Sequence, residues 1–557
     1  MEPKAFKLPI EYIHTIEVDK SITDDLEFNK ENNSLYDEIY SNNTNASKIN
    51  LVKLSKYFTN NKRFLKESQQ LVKYSLFTPP CSNDVIDILN STTNKQHFLE
   101  KYHYIDYEQL KFLNTNSTFL ELFSMYNISS PLLSLALPLF LLMIPFFIIR
   151  SQGCEITAIK YFEVLKITLK NHSIGKIFTI NSESWDKRIY IIITFIFYLF
   201  QIYSNVNSCK NFFINMKKIH STIFNLRDYI TKSLTTIDTF LENTKSFETY
   251  KLFNKDLIYY KKKLENIVND YNNITDCQLS FSKISELGTI MKLFYELNND
   301  ETNITALNYL VHFNGYIENL CVLKDKLDNR QISKCLFSKK TTYFNNIYYP
   351  SLTSNKPVKN NVNINKNIIL TGPNAAGKTT LLKSILFNII FSQQTGFGFY
   401  DKCKIQLFDK IKCYINIPDT SDRDSLFQAE ARRCRDILNS IKSDEHTYCV
   451  FDEIYSGTNP YEAIASATAY LKYLNSNKNI KFLITTHFIN ICKYLDNEPN
   501  IENYNMEMVT HADDIKYTYK IKKGISEIKG GLSVLKKLNY PLEIIENANN
   551  ILKKIKL

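Results

Sequence analysis

The segment Gly372-Pro373-Asn374-Ala375-Ala376-Gly377-Lys378-Thr379 constrains this chain more than any other. It fits GxxxxGK[ST], a pattern that folds as a loop joining a buried strand to a helix. The apolar run 367–370 precedes it, and a helical pattern over 380–391 follows. Further β-branched apolar runs lie at 447–451 and 481–485, with helical patterns between them. That alternation, from about residue 346 onward, predicts a parallel sheet covered by helices. Glycine use agrees. Only 12 glycines occur, and eight of them lie beyond residue 370, so special backbone geometry is concentrated in the last third.

The loop has a chemical reading. Its glycines let backbone N–H groups wrap a phosphate chain, and the helix N-terminus adds a positive dipole. Lys378 would neutralise the β- and γ-phosphates of ATP, and Thr379 would ligate Mg²⁺; Thr380 continues the phosphate-binding turn. A second element, Tyr448-Cys-Val-Phe-Asp452-Glu453, is an apolar strand that ends in two carboxylates. Asp452 would hold the metal, and Glu453 would orient and polarise the attacking water. A third, Phe482-Leu-Ile-Thr-Thr-His487, puts a histidine at a strand end, where it could sense the γ-phosphate or hold the water.

The rest of the chain reads as mostly helical. Residues 1–125 are polar, with helical spacing at 63–76 and 96–123 and no evident chemistry. Residues 131–149 form 19 consecutive uncharged positions, and 189–203 form 15 more, preceded by Lys187 and Arg188. The first meets the length needed to cross a hydrocarbon core. Pro138 and Pro145 would kink it, as membrane spans tolerate. Together the two runs predict a transmembrane hairpin over 126–205, hence a membrane-associated protein. Residues 206–345 predict long antiparallel helices, with Phe213, Met216, Ile219 and Ile223 in one stripe. Eleven cysteines, none at CxxC spacing, argue against a disulfide framework and for a reducing, cytosol-like compartment. The N-terminus has no apolar run after its charges, so no cleaved signal is expected and the protein is not read as secreted. The net charge of +11, from 68 basic and 57 acidic residues, permits an anionic partner without demanding one.

Several of these segments resemble the MutS family of mismatch-repair ATPases. The lead-in Thr371-Gly-Pro-Asn-Ala-Ala-Gly-Lys-Thr is similar to that family's P-loop, although Ala375 and Ala376 replace its Met-Gly. FDEIYSGTNPYEA at 451–463 and ITTHF at 484–488 resemble two further family segments. Tyr349-Pro350 and Val358-Lys359-Asn360-Asn361 sit where the family has its own upstream motifs, and 523–552 resembles its C-terminal segment. The resemblance covers roughly 346–557. It implies an ABC-like α/β P-loop ATPase domain preceded by a helical lever region, working as a homodimer or paralogue heterodimer. It also implies two composite ATP sites, with Ser425 reaching the partner's nucleotide, Gly457 and Thr458 near the subunit junction, and Asn360 at the nucleotide. DNA is the partner implied by the family. No mismatch-reading domain is legible, since the three Phe-x-Glu tripeptides at 98–100, 119–121 and 240–242 lack a Gly-flanked strand context. Two functions compete: a MutS-type ATPase coupled to mismatched or structured DNA, and a membrane-anchored ATPase that uses the same dimer cycle without DNA.

Overall fold

The computed structural model describes residues 6–28, 34–41, 44–74, 77–80, 95–153, 157–171, 184–275, 281–415, 426–511, 514–525, 535 and 538–554. They fall into two units. The first holds Met1–Pro79, Thr235–Tyr259 and Val311–Leu557; the second holds Pro80–Leu234 and Tyr260–Leu310. Three of the four divisions lie inside the helices Trp185–Thr244, Lys251–Asn272 and Glu301–Asp328.

In the first unit, β1 (Ile16–Glu17) pairs with β2 (Tyr57–Phe58). Then come β3 (Ser333–Ser338), β4 (Tyr343–Ile347), β5 (Asn360–Asn363) and β6 (Asn367–Thr371). They are followed by β7 (Phe397–Gly398), β8 (Lys402–Gln406), β9 (Lys410–Tyr414) and β10 (Thr447–Asp452). β11 (Ile480–Thr486), β12 (Ile501–His511) and β13 (Asp514–Lys523) complete the set. The main sheet has the order β13-β12-β6-β11-β10-β9, parallel from β12 to β9, with β13 antiparallel at its edge. A second sheet runs β5-β4-β8-β3-β7. The mostly helical region thus precedes a mixed α/β C-terminal domain.

The central strands carry no alternation because both of their faces are covered. Every residue of β6 is buried, as are the first five of β10. The helix Lys378–Thr395 is buried nearly all round, its polar residues included, as a helix at the centre of a core must be. Each fully buried Ile, Leu or Phe there contributes about 1.5–3 kcal/mol. Register then fixes the functional edge. Asp452 lies opposite Thr485, and Thr371 opposite Thr486. The carboxyl ends of β6, β10 and β11 therefore finish side by side, the edge where parallel sheets place ligands.

Residues 6–74 belong to this unit and clasp the far end of the helix Lys378–Thr395. Gln393 Nε2 donates to the carbonyls of Thr59 (3.1 Å) and Phe408 (2.9 Å). Gln394 Nε2 donates to those of Leu54 (3.0 Å) and Tyr57 (2.9 Å), and its Oε1 accepts from the Tyr36 hydroxyl. Gln69 reaches the carbonyls of Cys335 and Gly396 at 2.9 and 2.6 Å. These buried amides answer chain segments that would otherwise bury unpaired polar groups.

The second unit is helical. Phe98 stacks on Tyr104 at 5.5 Å and meets Phe294 at 5.4 Å; the Tyr104 hydroxyl donates to the Met291 carbonyl at 2.7 Å. The membrane expectation changes here. The run 131–149 lies within the continuous helix Ser117–Ser151, Pro138 and Pro145 included. The run 189–203 is the beginning of a 60-residue helix, Trp185–Thr244. Among the described residues that one helix, in place of the expected hairpin of two, meets the length and hydropathy of a span. Core helices of soluble proteins meet the same test, so composition alone does not assign a membrane.

Candidate functional site

The loop after β6 owes its shape to residues with positive φ: Ala375 (+65°) and Gly377 (+92°). A Cβ at Gly377 would approach Tyr519 Cδ1 to 3.0 Å, so the glycine also admits close packing by β13. From Gly377 the helix starts at once with Lys378. The Lys378 side chain is buried. Its Nζ donates to the Gly372 carbonyl at 2.8 Å and lies 3.1 Å from Glu453 Oε1. Weaker contacts reach the Pro373 carbonyl (3.4 Å) and Asn374 Oδ1 (3.5 Å).

The two carboxylates at the end of β10 are held differently. Asp452 is pinned by hydroxyls: Thr379 Oγ1 donates to its Oδ2 at 2.7 Å, and Thr485 donates to its Oδ1. Hard oxygen donors gathered in this way suit Mg²⁺, so Thr379 and Asp452 fit the metal role. Glu453 takes a left-handed backbone conformation, φ +52°, rare for a residue with a Cβ and costing about 1 kcal/mol. Its N–H donates to the Thr485 carbonyl at 3.1 Å. Its Oε2 lies 3.4 Å from His487 Nδ1, while Oε1 faces Lys378. The His487 contact, followed by the Lys378 charge, holds the Glu453 carboxyl at about 2, against a burial effect that pushes it up.

A cavity of about 810 Å³ opens above these groups. Pro373, Asn374, Ala375, Gly377, Lys378, Thr379 and Thr380 line it on the loop side; Ala376 is buried. Tyr348, Tyr349, Leu352 and Val358 also line it and supply apolar surface. Asn360 lines the cavity with both ends of its amide engaged: Nδ2 donates to the Tyr519 carbonyl at 3.0 Å, and Oδ1 accepts from Ile521 N–H at 2.8 Å. Ser425 lies outside the described residues. The helix that follows it, Leu426–Ser440, packs on the turn after β10. A Cβ at Gly457 would meet Leu426 Cγ at 2.7 Å and Phe427 N at 2.9 Å, so that turn runs against the same chain's helix. Thr458 donates to Glu462 at 2.9 Å.

Four contributors were not legible in the sequence. Thr485 braces Asp452, and only strand register reveals that it faces it. Tyr519 and Met506 come from the edge hairpin, more than a hundred residues downstream, to cover the loop. Glu430 is buried and accepts from Ser456 N–H (3.2 Å), Ser456 Oγ (2.9 Å) and Gly457 N–H (3.2 Å). It anchors the turn that carries Glu453. The sequence offered only its amphipathic spacing, which does not distinguish an anchor from a surface acid.

Comparison with known proteins agrees with this geometry. The family model of MutS domain V matches residues 368–556. The "DNA mismatch repair protein MutS" of Pelotomaculum thermopropionicum is 31% identical over 191 residues, 34% of this chain and 22% of that protein. Its namesake in Bacteroides fragilis is 32% identical over 191 residues, with the same shares. That of Fusobacterium nucleatum is 30% identical over 202 residues, 36% of this chain and 22% of the relative. The chain thus spans about a fifth of the length of these relatives. Strand, loop, paired carboxylates and histidine all fall inside the matched region, so residues 368–556 are similar to MutS domain V.

Proposed function

We propose that this chain binds ATP with Mg²⁺ at the loop 372–380 and hydrolyses it, with DNA as the macromolecule to which the cycle is coupled. The observation that carries the reading is the run of contacts from Lys378 through Glu453 to His487, with Lys378 and Glu453 lining the cavity. Lys378 has a choice of anions. When a triphosphate enters, its ammonium exchanges the Glu453 carboxylate for phosphate oxygens, and the loop N–H groups wrap the β-phosphate. Glu453, released from that pair, becomes a stronger base. It accepts a proton from a water aimed at the γ-phosphorus, while the bond to the departing ADP breaks. His487, at the far carboxylate oxygen, fixes the orientation of Glu453. Thr379 and Asp452 would hold Mg²⁺, which would supply positive charge to offset the negative charge of the phosphates. The apolar surface of Tyr349, Leu352 and Val358 suits the base.

Turnover would need a second copy if Ser425 acts in trans, as in the family's composite sites. The test is steady-state ATP turnover by the full chain, alone and with duplex, mismatched and branched DNA, at two salt concentrations. Salt-sensitive stimulation by DNA supports the coupled reading. Turnover that no DNA changes removes DNA from it and leaves the ATPase. Absence of both ATP binding and turnover sinks the whole proposal.

A further inference from the structure

The helices Ser117–Ser151 and Trp185–Thr244 are patterned inside out. They pack antiparallel in the second unit: the Tyr198 hydroxyl donates to the Ser134 carbonyl at 3.4 Å, and Cys209 Sγ approaches the Ile128 carbonyl at 3.6 Å. Along the second helix, the positions withdrawn from solvent form one stripe: Ile191, Thr194, Phe195, Tyr198 and Ile202. In a water-soluble pair the remaining positions would be charged or polar. Here they are Ile193, Ile196, Phe197, Leu199 and Phe200, exposed by 47–68%. Only 6% of the most apolar window of this helix is buried, so it is not the core helix that its composition would also allow. The first helix repeats the pattern, with Leu132, Leu135, Phe140 and Phe147 exposed by 53–72%.

We infer that this outward surface is immersed in the hydrocarbon of a lipid bilayer. Three features choose lipid over a protein partner. The first is dimension. Residues 131–149 are 19 uncharged, largely apolar positions, about 28 Å of helix, and 189–203 are 15 more, continued without charge through the polar 204–209. A hydrocarbon core is about 30 Å thick. The second is symmetry. Over 189–200 the apolar positions surround the helix except where the neighbouring helix covers it, whereas a protein interface has one side and a polar rim. The third is the end group. Arg150, Lys187, Arg188 and Trp185 gather beyond one end of the apolar stretch, with the Arg188 guanidinium 5.3 Å from the Trp185 ring. Basic residues with tryptophan are what a headgroup layer accommodates. The short helix Ala158–Asn171 lies in the sequence between these ends, exposing Ile159 and Phe162 and packing Tyr161 on Phe146 at 4.5 Å. The inference is independent of the nucleotide reading, since none of these residues belongs to the first unit.

Trp185 is the only tryptophan in the chain, and so reports on its own site. The full chain, exchanged from detergent onto vesicles of phosphatidylcholine with a minority of phosphatidylglycerol, is expected to float with them in a density gradient. Trp185 emission should shift to the blue. Its quenching should be stronger with bromines near the headgroup than with bromines near the chain ends. The triple variant Ile193→Lys/Phe197→Lys/Phe200→Lys alters only exposed positions. It should reduce flotation by more than about 100-fold while leaving nucleotide binding by the first unit unchanged. Three results would overturn the inference: a wild-type chain that stays at the bottom of the gradient, a triple variant that floats equally well, or, without lipid and detergent, a discrete oligomer cross-linked between copies through cysteines placed at 135 and 197.

Discussion

Lys378 and Glu453 hold each other at 3.1 Å, and this pair sets what single substitutions should do. Lys378→Ala removes the ammonium that the phosphates would take over; ATP affinity should fall about 100-fold, read by equilibrium binding of a fluorescent analogue. Glu453→Gln keeps the shape and removes the base. ATP binding should persist while hydrolysis slows by about 10²–10⁴-fold in single-turnover experiments. Normal turnover in that variant would take the proton-accepting role from Glu453. The pair also makes a pH prediction. Burial alone would raise the Glu453 carboxyl, but His487 and Lys378 lower it from 4.5 to about 2. A carboxylate depressed on folding stabilises the native state at pH values above its unfolded value. That contribution fades as the pH falls from about 4.5 towards 2. The stability gap between wild type and Glu453→Gln should therefore be full at neutral pH and close over that acid window, as chemical unfolding at a series of pH values would record.

Among the elements, the turn after β10 depends most on a distant residue. Glu430, on the helix Leu426–Ser440, accepts three hydrogen bonds from Ser456 and Gly457, two residues beyond the left-handed turn at Glu453 and Tyr455. Glu430→Ala would strand those donors. A loss of about 3 kcal/mol in unfolding free energy is expected, because hydrogen bonds to a charged acceptor are worth more than neutral ones and the turn can recover part of the loss from water. Hydrolysis should fall with it, and ATP binding should hold, since Lys378 and the loop lie on other elements. A variant that loses binding and hydrolysis together would show that the turn shapes the whole cavity. The helix Lys378–Thr395 is bound at both ends: the loop sits at its start, and the amides of Gln393 and Gln394 grip residues 54–59 at its finish.

At the scale of the molecule, that grip ties the described residues between 6 and 74 into the first unit, together with the nucleotide loop. Asp19 pairs with Lys412 at 2.7 Å, and Asn60 donates to Asp409 at 2.7 Å. A chain begun after residue 80 should leave Gln393, Gln394 and the apolar face of the central helix uncovered. It should be recovered as aggregate or show an unfolding midpoint well below that of the full chain. A soluble truncated chain with an unchanged midpoint would mean that the segment is dispensable. Mixing Ser425→Ala with a Lys378-defective chain tests the composite arrangement. If Ser425 serves its neighbour, the mixture restores one functional site per dimer at most; full activity in Ser425→Ala alone would refute the trans role.

The sequence by itself determined the βα unit around the loop and the identity of Lys378, Thr379, Asp452, Glu453 and His487, because each of these is declared by local pattern: an apolar strand, a glycine-rich turn, a carboxylate at a strand end. It also declared the apolar runs at 131–149 and 189–203, though not which side of each helix faces out. Tertiary structure alone decided the rest. Thr485 braces Asp452 only because β10 and β11 share a register, and Glu430 is an anchor only because its helix lies on the turn. Gln393 and Gln394 look like an ordinary polar helix end until residues 54–59 close over them. These contacts join positions from 26 to more than 300 residues apart, and a sequence pattern records the periodicity of an element but not the neighbour that its buried polar groups will meet.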